Sequence, residues 1–359
     1  MEYANNFFTY LRWRGDLPVK DYPFNEVDAL ILSELVYIEF ENIVPEVGEE
    51  GAIRIQDAEK RYRRKKGKKV LYYAQKEELF TCLANSPRFA DMTMNHYIST
   101  IDLVEQQQFA AMHIAIAPNL VFIAFRGTDS TIVGWREDFN MSYMMPVPAQ
   151  QSAVDYVNQT AKGLFKKYWL GGHSKGGNLA IYSGVYCNPK IQRKIVRISS
   201  FDGPGFNRKV VNEPQYQMVK ERIDAYVPVS SIVGMLMEHE EDYKVVASCE
   251  TSLKQHEGFS WQVDGTKFVL VQEVDEFSQN ISRIFQSWLN KVDIEERKIF
   301  IDAFFDVLEQ AGIEEVSDLV GIDVRTAATL VKGATKVAPQ IRELIVKLIK
   351  MFIEEGTHK

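Results

Sequence analysis

The stretch Tyr168-Trp169-Leu170-Gly171-Gly172-His173-Ser174-Lys175-Gly176-Gly177-Asn178-Leu179-Ala180 constrains the fold more than any other. An apolar run stops at paired glycines, and a helix-like segment begins just past Ser174. A strand that reverses into a helix within so few residues forces strained dihedrals on the residue at the break, and the residues two before and two after it must be small. Gly172 and Gly176 meet that demand. The turn holds the Ser174 hydroxyl clear of the sheet, and the helix that follows aims its positive end at the place where negative charge develops in acyl transfer. Ser174 is therefore the candidate nucleophile; the plainer alternative is a glycine-rich turn with an ordinary serine.

The rest of the chain supplies strands and helices in alternation. Residues 1 to 24, aromatic-rich and punctuated by Pro18 and Pro23, read as an extended arm. Asn25 caps a helix from Glu26 to about Phe40, with Leu30, Ile31, Leu35 and Ile38 as its apolar stripe. Phe109 to Ala117 and Leu120 to Phe125, split by Pro118-Asn119, are adjacent strands or a hairpin. A helix from Ala149 to about Lys167 leads into the Ser174 strand, and Ile195 to Phe201 and Ile223 to Val227 follow as further strands. This order predicts an α/β domain with a mostly parallel central sheet flanked by helices. From Glu273 the texture turns helical, with apolar stripes at Ile281 to Leu289, Ile299 to Leu308 and Ile341 to Ile349. The expected division is residues 1–272 and a C-terminal helical region, 273–359.

Composition limits the partners. A formal net charge of -7 argues against nucleic acid as the main ligand, and a faint helix-turn-helix resemblance within Ile313 to Lys332 offers only Arg325 and Lys332 for phosphate contacts. The basic run from Lys60 to Lys69 is either a solvated loop or hairpin or a patch that meets anionic lipid headgroups. Cys82, Cys187 and Cys249 are too few and too far apart for a disulfide framework or a zinc site. With no signal-like start and no long apolar run, the expectation is a soluble, cytoplasmic protein without metal or cofactor. The apolar faces of the tail must be covered by the chain itself or by a second subunit.

A serine nucleophile needs a base, and of the six histidines only His239, His256 and His358 follow Ser174. His358 is close to the terminus, and His239 sits among Glu238, Glu240 and Glu241, which reads as an exposed face. His256, in the loop before Trp261, is the candidate base, while His173 is read as packing beside the nucleophile. Two acids compete. Asp202 ends the strand after the elbow helix and is favoured over Asp224, which lies inside the next strand. The backbone N–H of Lys175 and the loop residue Thr128 are the candidate oxyanion donors, each such donor commonly contributing ~2.7 to 4 kcal/mol to the transition state.

Phe125-Arg126-Gly127-Thr128 with Trp135 and Asp138, then Gly172-His173-Ser174-Lys175-Gly176-Gly177 and His256, resemble the class 3 lipases of the α/β-hydrolase superfamily, and more closely a bacterial lipase-like family of uncharacterised function. The resemblance covers roughly residues 25 to 270 and implies Ser174 as nucleophile, His256 as base and Thr128 at the oxyanion hole. It departs at Lys175, where those lipases usually carry a large apolar residue, and at the acid, which they place just before a Val-Pro where this chain has Ala225. Arg197-Ile198-Ser199-Ser200-Phe201-Asp202-Gly203-Pro204 is similar instead to the acid-bearing segment of pancreatic-type lipases. The implied activity is hydrolysis of a small-molecule or lipid ester through a Ser-His-Asp triad and an acyl-enzyme. The alternative is a hydrolase-fold interaction protein with a vestigial site whose helical tail binds a partner.

Overall fold

The computed structural model describes residues 5–66, 74–102, 107–128, 132–237, 239, 241–289, 293–313, 329, 342 and 343. Its strands are β1 (Ile53–Arg54), β2 (Thr93–Asp102), β3 (Gln107–Ala117), β4 (Leu120–Phe125), β5 (Lys167–His173), β6 (Ile195–Phe201), β7 (Ile223–Pro228), β8 (Tyr243–Val246), β9 (Val263–Asp264), β10 (Lys267–Phe268) and β11 (Leu270–Val271). Nine of them form one sheet in the order β1-β2-β3-β4-β5-β6-β7-β8-β11. The helices are α1 (Phe7–Arg14), α2 (Glu26–Leu35), α3 (Ile55–Lys66), α4 (Ala74–Ala84), α5 (Ile132–Asn140), α6 (Pro148–Thr160), α7 (Lys175–Tyr186), α8 (Pro189–Gln192), α9 (Arg208–Val211), α10 (Pro214–Val219), α11 (Glu276–Leu289) and α12 (Ile294–Gln310).

The sheet is parallel only from β4 to β8, and the pairs β1/β2, β2/β3, β3/β4 and β8/β11 are antiparallel. The expectation of a mostly parallel sheet is corrected accordingly. The cause is the connections: Pro118-Asn119 turns β3 straight into β4, and a tight turn can join only antiparallel neighbours, whereas α6 and α7 return the chain for parallel pairing. Ser174 follows the carboxyl end of β5, the central strand of the nine and within the parallel part, at the edge where open α/β sheets present their ligands.

The N-terminal segment is not an extended arm. Asn6 accepts from the backbone N–H groups of Phe8 and Thr9, so α1 forms and buries Phe7, Tyr10 and Leu11. Asn25 and Asp28 form a capping box at the start of α2. Asp28 also receives the buried Arg88 guanidinium at 2.5 Å and the Tyr10 hydroxyl at 2.8 Å. Arg88 in turn donates to the carbonyls of Leu17, Tyr22 and Pro23, so one buried cation ties the opening turns to α2. Removing one member would leave an uncompensated buried charge. The described part of the basic run is helical rather than loop-like, because Ile55, Ala58 and Glu59 give α3 a buried edge while Arg61, Arg63, Arg64 and Lys65 stay exposed; residues 67–69 lie outside the described residues.

The chain divides into two compact units, residues 1–127 with 148–281, and residues 128–147 with 282–359. The first holds the sheet. In the second, α5 and α12 pack through Phe139, whose ring lies 5.4 Å from that of Phe305, and Arg136 donates to Asp302 at 2.6 Å. Asp293 caps α12 with Glu296. The stripe at Ile341 to Ile349 and most of Ile313 to Lys332 lie outside the described residues. Among the described residues no helix is long and apolar enough to cross a membrane.

Candidate active site

Ser174 has φ 56° and ψ -133°, a conformation that L-residues avoid and that surrounding packing must enforce. The packing is tight. A Cβ on Gly172 would come within 2.3 Å of the Gly176 backbone, and one on Gly176 within 2.2 Å of the Phe125 carbonyl oxygen. The Ser174 N–H donates to the Phe201 carbonyl at 2.8 Å, which ties the turn to β6. Gly127, in the turn after β4, runs so close that its own Cβ would meet the His173 carbonyl oxygen at 2.4 Å and the Ser174 Cβ at 3.0 Å. Only glycines allow three backbone segments to converge here.

Asp202, fully buried and also at positive φ (51°), caps the end of β6. Its Oδ2 lies 2.5 Å from His256 Nδ1, and its Oδ1 accepts from the Ser231 hydroxyl at 2.5 Å and the Gly234 N–H at 3.1 Å. Gly234 must be glycine, since a Cβ there would lie 2.3 Å from the carboxylate. Asp224 is elsewhere: it accepts from Arg197 at 2.9 Å and Lys244 at 3.2 Å near the start of β7. Burial opposes protonation of His256, but the Asp202 carboxylate, with Glu257 and Glu34 nearby, holds its imidazole above the ordinary value. The His256 side chain is 20% exposed.

His173 joins the two halves. Its ring lies 4.7 Å from that of His256, and its Nε2 is 2.7 Å from the His256 carbonyl oxygen. A carbonyl only accepts, so Nε2 carries the proton. Burial, with His256 beside it, pushes the His173 pKa down to about 3, so the ring is neutral and Nδ1 presents a lone pair. The Tyr37 hydroxyl meets that lone pair at 3.2 Å. Gln255, next in the chain to His256, accepts from the Ser230 N–H at 2.9 Å and so fixes the same loop from the other side.

Lys175 and Thr128, the other two candidates, are both buried. Lys175 opens α7, and its ammonium reaches the Gln108 carbonyl at 3.0 Å, which is how a lysine is accommodated next to the nucleophile. Thr128 belongs to the second unit, and its hydroxyl donates to Asp138 at 3.0 Å, so that proton is committed to a carboxylate. His239 is not on an exposed face. Its side chain is 9% exposed and its Nδ1 sits 2.9 Å from Glu241, whose other oxygen accepts from the Tyr216 hydroxyl. The charged neighbours suggest solvent; one of them is the buried partner. Among the described residues no group of three or more His, Cys, Asp or Glu is placed to hold a metal.

Glu34, unflagged by the sequence, is fully buried on α2, with Oε1 3.6 Å from His173 Nδ1 and neither carboxyl oxygen hydrogen-bonded among the described residues. Burial raises its pKa to about 7 despite the pull of Lys76. A carboxyl whose folded-state pKa lies above its unfolded value of 4.5 contributes its full stability below that value and loses it as pH rises through about 7. Glu34→Gln, a neutral isostere, is therefore expected to match the wild type at acid pH and to exceed it in stability by up to about 3 kcal/mol near pH 8. Denaturant unfolding at the two pH values reads this directly, and an equal difference at both would show that Glu34 does not change its charge over that range.

The family model described as Mbeg1-like matches residues 83–306. No curated protein matches the chain. Among solved structures, the chain is similar to the Rhizomucor miehei lipase in its propeptide complex, at 17% identity over 47% of this chain and 59% of that one, with a TM-score of 0.35. It is similar to the M37 lipase at 14% identity over 58% and 68%, TM-score 0.36. It is similar also to the Lip2 lipase of Yarrowia lipolytica at 12% over 53% and 74%, TM-score 0.33. The matched region thus spans 59% of the length of the Rhizomucor miehei enzyme.

Proposed function

This chain belongs to the Mbeg1-like family, and from that premise and the residues around Ser174 we propose that it is a serine hydrolase of lipase-like α/β-hydrolase architecture, cleaving carboxylic esters. The observation that carries the reading is the buried Asp202 carboxylate 2.5 Å from His256, whose own loop is bonded through the His256 carbonyl to His173, the residue that precedes Ser174. A strained serine next in the chain to His173, which contacts the carboxylate-oriented imidazole of His256, supports an activated hydroxyl at neutral pH. Fixed by Asp202 at Nδ1, His256 presents Nε2 as the base. Ser174 Oγ attacks the ester carbonyl carbon as His256 takes its proton, and the oxyanion forms at the N-terminus of α7 beside the Lys175 N–H. Collapse breaks the C–O bond to the alcohol, which leaves with the proton from His256. Water then attacks the acyl-enzyme by the same route in reverse and frees the acid and Ser174.

The test is turnover of p-nitrophenyl esters of increasing acyl length by the full chain. The expected result is a burst of one nitrophenol per chain followed by slower steady release, with activity rising as His256 loses its proton. Absence of both burst and turnover across the series would favour the interaction protein.

A further inference from the structure

Helix α6 stops at Thr160, short of the Lys167 expected from its periodicity, and the freed residues make a turn before β5. At its tip Leu164 is 77% exposed and Phe165 80% exposed, the two most exposed large apolar side chains among the described residues. The turn is held from three sides. The Lys194 ammonium donates to the Gly163 carbonyl at 2.9 Å, the Lys166 ammonium to the Pro118 carbonyl at 2.7 Å, and the Gly163 N–H to the Tyr168 hydroxyl at 3.1 Å. Two apolar side chains are thus presented to water on a braced support, which is costly unless something covers them.

The charge along the chain at the tip is one-sided. Lys162, Lys166 and Lys167 flank it in sequence, and the Lys194 ammonium bonded to Gly163 is preceded by Lys190 and Arg193. No Asp or Glu occurs between Asp155 and Asp202, in a chain whose net charge is -7. A second copy of the chain would set these cations against their own kind, and two side chains fall far short of the ~800 Å² per partner that a stable protein interface buries. An anionic bilayer suits both features, accepting the apolar tip among its acyl chains while its headgroups meet the flanking lysines. α3 shows no exposed large apolar side chain among the described residues, and its Arg63 is paired with the Glu59 carboxylate.

We propose that the Leu164–Phe165 turn, flanked in sequence by Lys162, Lys166 and Lys167 and braced by Lys194, docks the protein on anionic lipid surfaces by inserting its two apolar side chains. The tip lies at the amino end of β5 and Ser174 at its carboxyl end, about 20 Å away at ~3.3 Å per residue, so the docked chain turns its Ser174 edge away from the bilayer.

Co-sedimentation of the full chain with phosphatidylcholine vesicles, with and without phosphatidylglycerol, tests this. Binding is expected only with the anionic lipid, weakening as salt is raised. Leu164→Ser with Phe165→Ser should weaken it by about tenfold or more without shifting the melting temperature. In a second variant, Phe165→Trp, tryptophan emission should move to shorter wavelength on adding anionic vesicles. The proposal is overturned by equal binding of the double variant and the wild type, by no vesicle binding at all, or by loss of binding on Arg61→Gln with Arg64→Gln instead. Self-association that the double variant abolishes would likewise overturn it in favour of a second copy. Binding is the readout throughout, so the result is independent of the chemistry at Ser174.

Discussion

Ser174→Ala is expected to remove ester hydrolysis while leaving the fold intact, with a loss in turnover that reaches ~10⁶ if nucleophile and base act as one unit. The substitution deletes Oγ but keeps Cβ, so the glycine contacts that enforce the turn remain and the backbone at φ 56° is held as before. Its N–H still donates to Phe201. Thermal unfolding of the variant should therefore superimpose on that of the wild type while turnover falls to the level of direct water attack. Undiminished turnover in a folded variant would remove Ser174 from the chemistry.

Asp202→Asn is expected to cost ~10⁴ in turnover, because an amide in place of the carboxylate no longer fixes the Nδ1–H tautomer of His256 or stabilises its imidazolium. The amide still offers an oxygen to Ser231 and Gly234, so the loop should persist. Asp224→Asn, by contrast, loosens two partly exposed ion pairs, with Arg197 and Lys244, each worth about 1 kcal/mol or less, and should leave turnover within about twofold of the wild type. Rates of the two variants on one soluble ester, at a pH above the raised His256 value, give the ranking, and the reverse ranking would transfer the role to Asp224.

Much of this is legible in the sequence because the elbow demands glycines that no other motif explains, and because the apolar runs of β3 to β7 are bounded by proline, glycine or asparagine. What escapes is set by partners distant in sequence. Asn6 capping Phe7–Arg14 is a readable signal, but a short aromatic helix gains its stability from burying Phe7, Tyr10 and Leu11, which sequence alone does not reveal. Glu34 falls on the same stripe as Val27, Leu30 and Ile31, a position that should be apolar, and that conflict is the available sign of a buried acid. His239 misleads for the opposite reason, since its neighbouring charges read as solvation when Glu241 is its buried partner. The Ser231 and Gly234 donors to Asp202 carry no local signature, because a serine and a glycine after a strand are ordinary turn residues.

Whether Ser174 is the nucleophile is tested by treating the full chain with a fluorophosphonate, digesting it and locating the adduct by mass spectrometry. The prediction is a single phosphonylated peptide carrying the modification on Ser174, formed far more slowly in His256→Ala and Asp202→Asn. No adduct, or one formed on Ser230 or Ser231 at a rate indifferent to His256, would contradict it.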